Sequence, residues 1–202
     1  MRHALIAAAL SAALFGGAAK AQARALPDRL SAPARATLER TIDSARTAGL
    51  PVGPLYDKAS EGVLKAAGDD QIVRAVRSLA RSLADARAAV GTSSDGSVLT
   101  AAASALAAGV TPVDLRRLAH PSSGEPSAST LATALVTLVD LVTKRVPVAM
   151  ATTSIQSLLD RHATDQQFTS LRADVDRDIL AGRAPEASVV ERVRARTGPP
   201  PS

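Results

Sequence analysis

The chain of 202 residues carries 24 Lys and Arg against 19 Asp and Glu, a formal charge of +5, with no cysteine and aromatic residues at 1%. Without cysteine there are no disulfides, so packing alone must hold the fold together. The basic balance raises the question of an anionic partner, but arginine and aspartate alternate along the chain and bases need aromatic platforms to stack on, so no nucleic-acid partner is expected.

The first stretch, MRHALIAAALSAALFGGAAKAQA, has Arg2 at its start, an apolar run from Ala4 to Phe15, and Ala21-Gln22-Ala23 at its end. This is the pattern of an export signal over residues 1–23, with cleavage expected after Ala23. About 20 strongly apolar residues are needed to span a bilayer, and this run is shorter and mostly alanine. No cysteine stands at the cleavage point to carry a lipid. The expected product is a periplasmic or secreted protein with one all-helical domain over 24–198 and a disordered tail over 199–202.

Leu38, Ile42 and Ala45 follow Ser31 and Pro33 at helical spacing, and Gly49 follows as a stop. The period resumes from Leu55 through Ala59, Val63 and Ala66, with Gly68 behind it. Ile72, Val76, Leu79, Leu83, Ala86 and Val90 are spaced alternately four and three apart, one apolar seam along a helix of about 30 Å. Asp69 or Asp70 is expected to cap that helix and Gly91 to end it. GTSSDGS reads as a polar loop, followed by a helix through Leu99, Ala102, Leu106 and Val110. Thr111-Pro112-Val113-Asp114 reads as a capping box with proline just inside a short helix carrying Leu115 and Leu118. After the loop HPSSGEPS come three more helical patterns: Leu131 to Val142, Val148 to His162, and Phe168 to Ile179 with Gly182 as its stop. Val189, Val190 and Val193 suggest a terminal helix.

The stretch AGLPVGPLYDKASEG, from Ala48 to Gly62, has a partner later in the chain. A shift of 96 residues places Pro51 on Pro147, Val52 on Val148, Ala67 on Ala163, Asp69 on Asp165 and Gln71 on Gln167. Ser104 to Val110 echoes Ser44 to Leu50 more weakly. The prolines and glycines then read as corners between helices, because proline starts a helix and glycine ends one. Gly62 is the exception: it falls inside a helix at a cost of about 1 kcal/mol against alanine, and close approach of a neighbouring helix is its expected use. The fold expected is all-α, with about eight helices in a compact bundle or a short α-solenoid of pseudo-repeated helical hairpins.

The order GLP, then Glu61-Gly62 with Lys65 three residues on, then an aspartate-capped apolar helix, resembles a group of exported, alanine-rich helical proteins of bacteria for which no function is established. The resemblance covers most of the chain after residue 23. It implies an exported helical protein and no particular activity.

Asp57, Lys58, Glu61 and Lys65 form the densest charge cluster, beside Tyr56, the single tyrosine. Glu61 lies three after Lys58 and four before Lys65, the favourable order for helix ion pairs. Tyr56, Lys58, Glu61, Gly62 and Lys65 are therefore the candidate interaction site, at the mouth of a groove. Asp174, Asp176 and Asp178 imitate the start of a calcium loop, but Ile179 replaces its glycine and Pro185 its bidentate glutamate. His120 and His162 lack a second histidine at zinc spacing, and no serine sits in a G-x-S-x-G elbow. GTSSDGS has Ser97 where a phosphate loop needs lysine. No catalytic residue, cofactor or metal is expected. The function expected is non-catalytic: an exported protein that presents a groove or face to an unknown protein or envelope component. One alternative is a small exported hydrolase with His120 or His162 as base. Another is a peripheral binder of anionic membrane, with Arg74, Arg77 and Arg81 as its stripe.

Overall fold

The computed structural model describes residues 25–91 and 95–198. The expected export signal with its cleavage point, the tail over 199–202, and residues 92–94 of the GTSSDGS loop lie outside the described residues.

The described residues form nine α-helices and no strand: α1 (Ala32–Thr47), α2 (Gly53–Leu64), α3 (Asp69–Val90), α4 (Gly96–Ala107), α5 (Pro112–Ala119), α6 (Ala128–Thr143), α7 (Val148–Leu159), α8 (Asp165–Leu180) and α9 (Pro185–Thr197). This is one more than the eight expected. Apolar residues three and four apart drive these helices together. Along α3, Ile72, Val76, Leu83, Ala86 and Val90 are buried, while Leu79 is half-buried at the edge of the seam. Leu38, Ile42 and Ala45 of α1 are buried as their spacing requires. α3 packs on α1, α2, α4 and α5; α6 packs on α4, α7 and α8; α9 closes the bundle against α7 and α8. Phe168, Leu115, Leu135, Leu138, Leu141 and Ile155 are fully buried between these rods. Each such side chain contributes about 1.5–3 kcal/mol relative to exposure.

The corners follow one design. At six helix ends a residue takes a left-handed conformation: Gly49 (φ 71), Ala66 (φ 53), Gly109 (φ 96), Arg145 (φ 72), His162 (φ 56) and Gly182 (φ 85). The N–H of the next residue then bonds back across the end of the helix, as in Leu50 N to Ala45 O at 2.9 Å and Val146 N to Leu141 O at 3.1 Å. These are Schellman ends, which satisfy the last carbonyls and turn the chain into the next helix. The stretch from Ala48 to Gly62 is such a corner, with Pro54 inside the first turn of α2.

The 96-residue shift reappears in helix bounds. α1 and α6 both have 16 residues and start at Ala32 and Ala128, α3 and α8 start at Asp69 and Asp165, and left-handed Gly49 and Ala66 match Arg145 and His162. Packing follows the shift only in part: α1 lies on α3 as α6 lies on α8, but α2 lies on α3 whereas α7 lies on α6 and α9. The bundle is therefore established and the repetition of packed hairpins is not.

Two expected caps differ in the structure. The cap of α3 is Gly68, which makes no side-chain bond. Asp69 is spent elsewhere, accepting from Ser31 N at 3.1 Å and tying the start of α3 to the start of α1. Asp165 does likewise on α6, accepting from Ser129 and, at 2.6 Å, from Thr130 Oγ1, while Thr164 caps α8 in a full capping box with Gln167. At α5, Thr111 caps the helix, its Oγ1 accepting from Asp114 N at 3.1 Å, but the Thr111 hydroxyl donates to the Asp114 carboxylate at 2.8 Å and leaves the box half made.

Candidate functional site

Four of the five candidate residues come together. Lys58, Glu61, Gly62 and Lys65 line a cleft of about 420 Å3 between α2 and α3, floored by Ile72. Lys58 Nζ donates to Glu61 Oε2 at 2.7 Å and Lys65 Nζ to Oε1 at 2.6 Å. These two bonds push the Glu61 carboxyl down to about 2. Both ammonium groups thus share one carboxylate partner, which leaves the cleft a net charge of +1. Gly62 supplies the close approach that its position suggested, because a Cβ there would lie 2.7 Å from Ile72 Cγ1. Tyr56 does not line this cleft; its hydroxyl accepts from Arg46 Nη2 of α1 at 3.3 Å.

The acidic and histidine candidates are engaged in structure. Asp174 pairs with Arg177 at 2.8 Å and Arg196 at 2.7 Å, and Asp176 with Lys144 at 2.8 Å. Buried Asp178 accepts Arg192 Nη2 at 2.7 Å, Arg192 Nε at 2.9 Å and Ser188 Oγ at 2.6 Å. The guanidinium and the hydroxyl hold its carboxyl well below the usual carboxylate range. Far from a calcium loop, the three aspartates clamp α8 to α6 and α9. Among the described residues no group of three or more His, Asp and Glu could hold a metal ion. His120 Nδ1 lies 2.9 Å from Glu125 Oε1, and His162 lines a separate cleft of about 250 Å3. No serine hydroxyl bonds to either ring among the described residues; the Ser123 hydroxyl donates to the Leu159 carbonyl at 3.2 Å.

A groove lined by four arginines lies between α1 and α3. It measures about 660 Å3, and its walls are Thr37, Arg40, Thr41 and Ser44 of α1 and Arg74, Arg77 and Arg81 of α3, over a floor of Ala45, Ala80 and Ala84. The α1 residues share one face because they recur at three- and four-residue spacing. Arg40 Nη2 donates to Thr37 Oγ1 at 3.2 Å, and Thr41 Oγ1 donates to the Thr37 carbonyl at 2.9 Å. Among the described residues none of the four arginines has an ion pair. Their four charges line a concave surface, where like charges reinforce one another.

A second groove, also of about 660 Å3, is apolar and brings Pro51, Gly53 and Pro54 against Val136 and Val139 of α6. The Gly/Pro corner thus forms one wall of a surface groove as well as turning the chain. Among the described residues no helix is long and apolar enough to cross a membrane.

The α3 half of the basic groove was visible in the sequence as Arg74, Arg77 and Arg81. Its α1 half was missed, although Thr37, Arg40, Thr41 and Ser44 carried the signal in their own period. No family model, curated protein or solved structure matches this chain.

Proposed function

We propose that the protein is exported and non-catalytic, and that it presents the groove between α1 and α3 to another macromolecule of the bacterial envelope. The observation that carries this reading is the set of four guanidinium groups, Arg40, Arg74, Arg77 and Arg81, that have no ion pair among the described residues, around a floor of alanines. Elsewhere the polar clusters are internally satisfied: Glu61 by two lysines, Asp174 and Asp178 by arginines, and His120 by Glu125. A surface whose charges lack internal partners is suited to external ones, and such a charge field also speeds encounter.

The test is a photo-crosslinking residue placed at Ala84 in the groove and, separately, at Ala173 on the exposed face of α8, with irradiation of intact cells. A discrete macromolecular adduct from position 84 and none from position 173 is expected. Equal labelling from both positions, or none from either, contradicts the reading. Sequencing the N-terminus of the recovered protein tests export separately: a chain that starts after Ala23 is expected, and one that retains residues 1–23 in the cytoplasm contradicts it.

A further inference from the structure

We infer that the occupant of the α1/α3 groove is an acidic α-helical segment of another protein, lying along α3 with its carboxylates over Arg74, Arg77 and Arg81. This rests on the reading above and names the chemistry of the partner. Arg74, Arg77 and Arg81 recur at i, i+3 and i+7, a row of about 10 Å along one face of α3. A helix laid beside it with Asp or Glu at the same spacing sets a carboxylate opposite each guanidinium, and arginine meets carboxylates in a two-pronged geometry.

The floor fits the same occupant. Ala45, Ala80 and Ala84 project only methyl groups, so the axis of a third helix can settle into the trough between two others. Thr37, Thr41 and Ser44 put hydroxyl groups on the opposite wall for the polar side of that helix.

Other polyanions fit less well. Phosphate sites usually draw on free backbone N–H groups at helix starts or in nests, whereas these residues lie inside α1 and α3, where the N–H groups are spent in the helices. An anionic membrane is a flat surface that rewards inserted bulky apolar side chains. Among the described residues the exposed ones are Leu64, Val113, Val136, Leu180 and Val190, and none lines this groove. Nucleic acid calls for stacking platforms, and the single tyrosine, Tyr56, lies outside it.

Fluorescence anisotropy of the intact protein at physiological salt tests this with four probes. They are an alanine-based helical peptide with glutamates at i, i+3 and i+7, its glutamine counterpart, vesicles containing phosphatidylglycerol, and inorganic polyphosphate. The glutamate peptide is expected to bind at least about tenfold more tightly than the other three, and Arg77→Gln with Arg81→Gln to weaken it by about tenfold. Arg77→Glu with Arg81→Glu is expected to abolish that binding and to create affinity for a peptide with lysines at the same positions. Equal affinity for the glutamine peptide, or indifference to the arginine substitutions, overturns the inference. Preference for vesicles or polyphosphate overturns it while leaving the groove as the interaction face. Loss of the groove-specific crosslink from position 84 instead removes the reading on which the inference stands.

Discussion

Gly62 of α2 and Ile72 of α3 approach so closely that a methyl group on residue 62 would sit 2.7 Å from Ile72 Cγ1. Ile72 is buried, and Cγ1 sits near the base of its β-branched side chain, so it cannot swing aside as a flexible chain end would. Overpacking of this kind costs about 1–3 kcal/mol, which outweighs the roughly 1 kcal/mol that alanine gains over glycine in a helix. Gly62→Ala is therefore expected to destabilise the protein by about 1 kcal/mol in urea unfolding. In an Ile72→Ala background, where Cγ1 is gone, the same substitution should become stabilising. A Gly62→Ala effect of the same sign and size in both backgrounds would show that the contact is not what requires glycine.

Gly49 and Arg145 occupy corresponding corners with φ of 71° and 72°, yet only one is glycine. The left-handed conformation costs a side-chain-bearing residue about 1–2 kcal/mol. Gly49→Ala is expected to lower stability by about that amount, because Arg87 Nη1, the nearest atom to the new Cβ, belongs to a side chain that can move. Arg145→Gly should be neutral or stabilising by up to about 1 kcal/mol, the relief of strain being partly offset by the greater freedom of glycine in the unfolded chain. Thermal unfolding of both variants checks the contrast, and equal losses at the two corners would contradict it.

Acid should loosen α9 first. The hydrogen bonds of Asp178 from Arg192 and Ser188 lower its pKa below the ordinary 3.8. A depressed carboxylate contributes stability that is fully present above its unfolded value and is lost as pH falls through its folded value. The loss should therefore begin near pH 3.8 and deepen below it. Asp178→Asn is expected to reduce stability at neutral pH and to flatten the acid limb of the stability curve, with faster hydrogen exchange in Pro185–Thr197. Glu61→Gln should change that limb much less, since the Glu61 side chain is 42% exposed against 8% for Asp178 and water screens its pairs. Denaturation midpoints taken between about pH 7 and about pH 2 separate the two, and parallel curves for wild type and Asp178→Asn would refute the assignment.

The helices were legible because burial follows local spacing: Ile72, Val76 and Leu83 face the core as their period demands. What depends on distant chain was not. Asp69 reads as a cap, yet Ser31 claims its carboxylate from 38 residues away. Asp178 reads as one of three aspartates that imitate a calcium loop, and only the docking of α9 buries it against Ser188. Tyr56 adjoins the Lys58–Glu61 cluster in sequence, but its hydroxyl meets Arg46 of α1 instead. The basic groove needed both α1 and α3, and the rotation of one helix about the other is not written in the period of either.

Amide chemical-shift mapping of the full chain, titrated with the glutamate-bearing helical peptide, tests the central claim most directly. Changes concentrated in α1 from Thr37 to Ala45 and in α3 from Arg74 to Ala84, the two walls of the groove, are expected. Changes centred on the Lys58–Glu61–Lys65 cleft or the Pro51–Val139 groove, or spread evenly over the surface, would contradict it.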